Sequence, residues 1–326
     1  TTYEAEAGIL YNKNKTFLLL SPKTLTNSVT PPVTVTAIGA SAFRNCTGLT
    51  GIVLSPSIKS IYNNAFNGCI SLKNIIFPAS INLIDSCAFY GCTGLTSVEI
   101  KKSIPISIFE NVFSNYNADL IVPYGSNIAY QNETGWKNFA NIQNHTFSVN
   151  GITYGVVDTA VTVASAIQND SLTIPPNVAN ERIVYPITAI GENAFKNNTS
   201  LKAIIIPPSV VSIGTGSFVG CSSLKSIYVG WCKPPILTDY STYFNGVDKT
   251  TCVLYVFNAT DVILNNYYTA GGWADFYHIE SKYVKTGIER IYLDEETAPY
   301  YDLQGRRVEN LQNGIYIHNG EKIYIK

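Results

Sequence analysis

Residues 72–92 contain Leu72-Lys73-Asn74-Ile75-Ile76-Phe77-Pro78-Ala79-Ser80-Ile81-Asn82-Leu83-Ile84, then Ala88-Phe89 and Cys92. Apolar and polar residues alternate here over runs too short for a helix, which is the period-2 signature of strands. Pro78 ends the first run because it has no N–H to offer a neighbouring strand. The unit recurs. Ala42-Phe43, Ala65-Phe66 and Ala88-Phe89 follow one another at 23-residue steps, and Leu49, Leu72 and Leu95 keep the same step. A second stretch repeats the pattern with Phe195 and Phe218, then Leu201 and Leu224. A unit this short cannot bury its own apolar face, whereas stacked copies turn each Leu, Ile and Phe column into a continuous core. The period therefore predicts a β-rich solenoid of about 23-residue coils with little helix.

Each repeat block ends in a longer unit. The first reads Leu120-Ile121-Val122-Pro123-Tyr124, then Gly135-Trp136 and Phe139; the second reads Leu254-Tyr255-Val256-Phe257, then Gly272-Trp273 and Phe276. The helix is expected only in these units, near 127–139 and 261–276, with Trp and Phe plugging the coil stack. Each block also opens with a hairpin-like segment, Gly8-Ile9-Leu10-Tyr11 and Gly151-Ile152-Thr153-Tyr154. This divides the chain into a first block over 1–143, a second over 144–280, and a tail over 281–326. In the tail, Asn313-Gly314 and Asn319-Gly320 are turn dipeptides between alternating apolar runs, so a β-hairpin is expected. With both blocks already closed, the tail should be dispensable for folding.

Composition narrows the partners. Charged residues make up 14% of the 326 residues, against about 25% in ordinary globular chains. The surface must instead be built from neutral polar groups, and the chain holds 31 Asn and 22 Tyr. A net charge of −1 argues against nucleic acid, which needs concentrated Lys and Arg. No apolar run approaches the roughly 18 to 20 residues of a membrane span. Met is absent, which leads us to expect that a leader has been removed ahead of Thr1.

The Ile-Gly-x-x-Ala-Phe-x-x-Cys signature and the Leu-Tyr-Val to Gly-Trp end unit resemble the BspA-like, or Treponema pallidum type, leucine-rich repeats. The resemblance covers the chain from about Gly8 to Ile279. Departures occur at Val112, Tyr116, Asn198 and Phe257. It implies a leucine-rich-repeat solenoid of the α/β repeat class, exposed on or secreted from a Bacteroidetes-type bacterium, that binds a protein or a glycan outside the cell. A structural spacer without a ligand is the first rival reading, and an enzyme of unknown type the second. The tail, from Tyr300-Tyr301-Asp302-Leu303 to Ile317, is similar to short C-terminal modules of exported proteins, some of them sorting signals. Asp158-Thr159-Ala160 and Asp170-Ser171-Leu172 resemble bacterial O-glycan acceptor tripeptides.

Candidates for chemistry are few. His145, His278 and His318 stand apart, and no His-x-x-x-His or Cys-x-x-Cys pair offers metal spacing. No nucleophile elbow or phosphate-cradling loop occurs. Gly214-x-Gly216 reads as a bend, and Asp294-Glu295-Glu296 as a solvated linker. We therefore expect no catalytic residue, no metal site, no cofactor, no nucleic-acid partner and a monomeric binding protein. Of the seven cysteines, Cys46, Cys69, Cys92 and Cys221 share the column three residues after Phe, where a small buried filler suits a narrow turn. Cys232 and Cys252 lie outside it as the pair open to a disulfide.

In Leu-x-x-Ile-x-Ile the Leu and both Ile face inward, so the residue between the Ile positions points outward. That column comprises Val53, Ile76, Glu99, Ile205 and Tyr228. Four of the five are apolar or aromatic, where a solvated face should be polar. Either loops cover this face, or it is an apolar strip that binds a partner. Tyr228 is the strongest anchor on the second reading.

Overall fold

A computed structural model describes residues 2–283, apart from 181, 240 and 241, and beyond them the strands at 300–301, 307–308, 314–318 and 321–325. It is a β-solenoid of about 11 turns, 6% helical. Each repeat contributes a rung to two parallel sheets. The longer rungs of the first block are Asn74–Phe77, Ser97–Ile100, Asp119–Val122 and Asn141–Asn144. Their register pairs Asn74 with Ser97 and Phe77 with Ile100, which is the 23-residue step made physical. The shorter rungs, Ala37–Ile38, Ser60–Ile61 and Leu83–Ile84, form the second sheet, which begins in the opening hairpin Tyr3–Glu6 and Ile9–Asn12.

The Phe column runs up the middle. Phe43, Phe66, Phe89 and Phe113 stack at 5.0, 5.0 and 5.4 Å between ring centroids, all buried. That spacing follows from the strand-to-strand distance of a sheet, so identical rings in successive coils fall into contact without further adjustment. The chain turns sharply on both sides of a repeat Phe, at Phe43, Phe66, Phe89, Phe195 and Phe218. Two residues after each of these, Asn45, Gly68, Gly91, Asn197 and Gly220 hold left-handed backbone with φ of 60°, 77°, 74°, 60° and 75°. Only Gly, and Asn among side-chain-bearing residues, visits that region cheaply.

The cysteine column does more than fill space. The Sγ of Cys69, Cys92 and Cys221 each donate to the carbonyl of the preceding coil's Phe43, Phe66 and Phe195, all at 3.1 Å. Asn198 stands where the repeat has Cys, and its Nδ2 donates to the Ile167 carbonyl at 3.4 Å. The departure keeps the donor. All seven cysteines are free thiols, and Cys232 is exposed while Cys252 is buried.

The longer units close the stacks as expected. Helices span Asn127–Asn132 and Asp261–Tyr268, with a 3-10 turn at Trp136–Asn138. Trp136 and Trp273 are fully buried, and their indole N–H groups donate to the carbonyls of Ile106 and Pro235. Buried residues form two clusters, one over residues 9–139 and one over 152–279. In the tail, Gly314–His318 pairs antiparallel with Glu321–Ile325, the expected hairpin. Asn313, Asn319 and Gly320 lie outside the described residues, as does the 294–296 acidic run.

Candidate binding face

The longer rungs of the second block form one sheet in the order Ser171–Thr173, Ala203–Ile206, Ser226–Val229, Val253–Phe257 and His278–Lys282. Leu254 and Val256 point into the core and are buried, so alternation turns Tyr255 and Phe257 outward. Register then sets Thr173, Ile205, Tyr228, Tyr255 and Glu280 in one outward row across the five strands. Tyr228 and Tyr255 stack at 4.8 Å with rings 17° apart, and Phe257 lies 6.0 Å from Tyr228. Lys282 Nζ lies over the Tyr255 ring, 5.8 Å from its centre. The three aromatics are half-buried.

The five outward-column residues do not make one surface. Val53 and Ile76 are exposed on the first block, at 56% and 45%. Ile205 is buried at 5%, which corrects its assignment to an exposed strip. It stands in register between Thr173 and Tyr228, and the bulk of Tyr228 beside it removes it from water. Glu99 is turned to another use. Its Oε1 meets His145 Nδ1 at 3.3 Å, at the junction of the blocks. Burial opposes ionisation of Glu99, but the hydrogen bond from His145 and the charges of His145 and Lys101 outweigh it and hold the carboxyl below its ordinary range.

Tyr255, Phe257 and Lys282 were missed by reading columns at 23 residues. Tyr255 follows Tyr228 by 27 because the intervening unit is longer. The alternation within Leu254-Tyr255-Val256-Phe257 was the available signal.

The described residues also form two clefts that the rings of Tyr228, Tyr255 and Phe257 do not line. One, at the junction, is lined by Glu99, Lys101, Pro123, His145, Asp158 and Tyr185 among others. The other lies between 233–237 and the end of the second helix, lined by Pro234, Pro235, Ile236 and Ala270. Among the described residues no group of three or more His, Cys, Asp or Glu side chains is placed to hold a metal ion. No helix among them is long and apolar enough to cross a membrane. Thr159 and Ser171 are both exposed.

A family model described as "BspA type Leucine rich repeat region" matches in six copies, over residues 21–150 and 165–242, nearly two thirds of the chain. Similar solved structures include a leucine rich cell surface protein from Faecalibacterium prausnitzii A2-165, 14% identical over 87% of this chain and 96% of that one, with TM-score 0.26. A leucine-rich repeat protein from Bacteroides ovatus is 20% identical over 87% of this chain and 75% of its own, with TM-score 0.26. The T. pallidum leucine rich repeat protein is 16% identical over 82% and 96%, again at 0.26. Scores this low say nothing about site or ligand. No curated protein matches the chain.

Proposed function

Because the chain belongs to the BspA-type leucine-rich repeat family, we propose that it is a non-catalytic, monomeric binding protein acting outside a bacterial cell or on its surface, and that it recognises its protein or glycan partner through the outward face of the second block. The observation that carries this reading is the Tyr228–Tyr255–Phe257 cluster on that face. Three aromatics gathered on one patch of a solenoid supply contact area at low conformational cost, which is how Tyr serves recognition surfaces. The sequence resemblance supports the extracellular setting, both in the repeat and in the tail that carries the hairpin Gly314–His318 and Glu321–Ile325. The non-catalytic reading rests on the site. Glu99 and His145 pair with each other, and among the described residues neither is hydrogen-bonded to a Ser, Thr or Cys nucleophile.

The test is saturable retention of the full chain on immobilised extracellular-matrix proteins and polysaccharides. Tyr228→Ala combined with Tyr255→Ala should abolish retention, and Ile76→Asp should leave it intact. Retention of nothing in the panel would favour the spacer reading.

A further inference from the structure

The second-block face differs from the first in one chemical respect. Across the four strands from Ser171–Thr173 to Val253–Phe257, no outward residue is charged; the row holds Thr173, Ser226, Tyr228, Val253, Tyr255 and Phe257 among others. Charge returns only on the last strand, at Glu280 and Lys282. The corresponding first-block sheet carries Glu99 and Asp119 on its outward side. A nucleic acid, an acidic polysaccharide or a charged peptide would find countercharge only on the last strand, where Glu280 and Lys282 are one of each sign.

The aromatic geometry narrows the partner further. The rings lie nearly parallel, against one another, and Lys282 sits over Tyr255. Ring faces are thus already in use, and what remains for a partner is ring edge and phenolic hydroxyl. Neither cleft described above, where a protein hot spot would gain most of its energy, is lined by these rings. The face does present two hydroxyls side by side, those of Tyr228 and Tyr255, and neither has a hydrogen-bond partner among the described residues. Each is both donor and acceptor. The row runs across the strands, along the solenoid, so its shape suits an extended polymer.

We propose that this face binds an extended, uncharged polysaccharide laid across the strands, its hydroxyls exchanging hydrogen bonds with Tyr228 and Tyr255. The proposal rests on the reading that the second-block face is the binding surface, and names the ligand class for it.

The experiment is affinity electrophoresis of the full chain in gels containing mannan, an uncharged β-glucan, or polygalacturonate as the charged counterpart, with matrix proteins tested in parallel. Retardation is expected in at least one uncharged polysaccharide, indifferent to added salt because no charge pair is screened. Tyr228→Phe with Tyr255→Phe keeps the rings and the fold while removing both hydroxyls, and should weaken binding by about tenfold. Tyr228→Ala with Tyr255→Ala should abolish it. Retention by polygalacturonate or a protein instead, lost in the Ala pair, would overturn the ligand class and leave the face standing. Binding that the Ala pair retains in full would overturn the face as well. No retardation by any uncharged polysaccharide would also sink the proposal.

Discussion

The ring of Tyr124 occupies the space in front of Gly155 where any side chain would stand, so that a Cβ at 155 would overlap it. Tyr124 belongs to the end unit of the first block and Gly155 to the opening hairpin of the second. Their backbones continue the contact. Tyr124 N–H donates to the Val156 carbonyl at 2.9 Å, and Val156 N–H donates to the His145 carbonyl at 2.9 Å. The two cores are separate, so this seam is what couples them.

Gly155→Ala should therefore cost about 1–3 kcal/mol, the usual penalty of overpacking. Differential scanning calorimetry should show one cooperative transition becoming two as the blocks uncouple. Adding Tyr124→Ala should recover part of the loss, because the two positions share one contact. Fully additive losses would mean that the ring does not oppose the new methyl.

The Glu99–His145 pair lies at the same seam and makes stability depend on pH. A carboxyl whose folded pKa is depressed contributes stability above its unfolded pKa and loses it as pH falls through the folded value. The difference in Tm between wild type and Glu99→Gln should be present at pH 6 and shrink as pH drops below about 4. A difference unchanged from pH 6 to pH 3 would show that the carboxylate contributes nothing through ionisation.

Thiol labelling should divide the cysteines by burial. Five are buried, and burial pushes the thiols of Cys221 and Cys252 up to about 11 and about 12. Reaction needs the thiolate and access to it. At pH 8 the native protein should label fast at exposed Cys232 and slowly at half-buried Cys87, with the remaining five appearing only on denaturation. Mass spectrometry of the labelled peptides would locate each one, and fast labelling of Cys69 or Cys92 would contradict the column geometry.

Asn198 offers a test of the thiol hydrogen bond. Besides donating to Ile167, its Oδ1 accepts from the Leu201 N–H at 3.2 Å, and the residue is buried. Asn198→Ala leaves a carbonyl and an N–H without partners and should cost about 1–3 kcal/mol in urea denaturation. Asn198→Cys restores the column's usual donor and should cost less. Equal losses would reduce the column to space-filling.

Much of this molecule could be read from the 23-residue period. The inward Leu, Ile and Phe columns, the Pro that ends a strand and the Trp that closes a stack are consequences of local alternation repeated in register. The helices at Asn127–Asn132 and Asp261–Tyr268 fell within the expected end units. The left-handed positions two residues after Phe43, Phe66, Phe89, Phe195 and Phe218 were equally present in the residues, as Asn or Gly at one fixed offset, although their meaning emerged only from the backbone angles.

Which outward residues reach water was not local. Ile76 and Ile205 hold the same place in the repeat, yet one is exposed and the other buried, because a Tyr from the next coil stands beside Ile205. Tyr228 meets Tyr255 across a coil whose length breaks the period, so no fixed spacing announces the pair. Glu99 meets His145 because the strand Asn141–Asn144 joins the first-block sheet two strands away and His145 N–H donates to the Val122 carbonyl. Sequence alternation determines the direction of a side chain, since that depends on its own strand. What covers that side chain depends on strands that arrive from elsewhere, and tertiary packing alone decides their arrival.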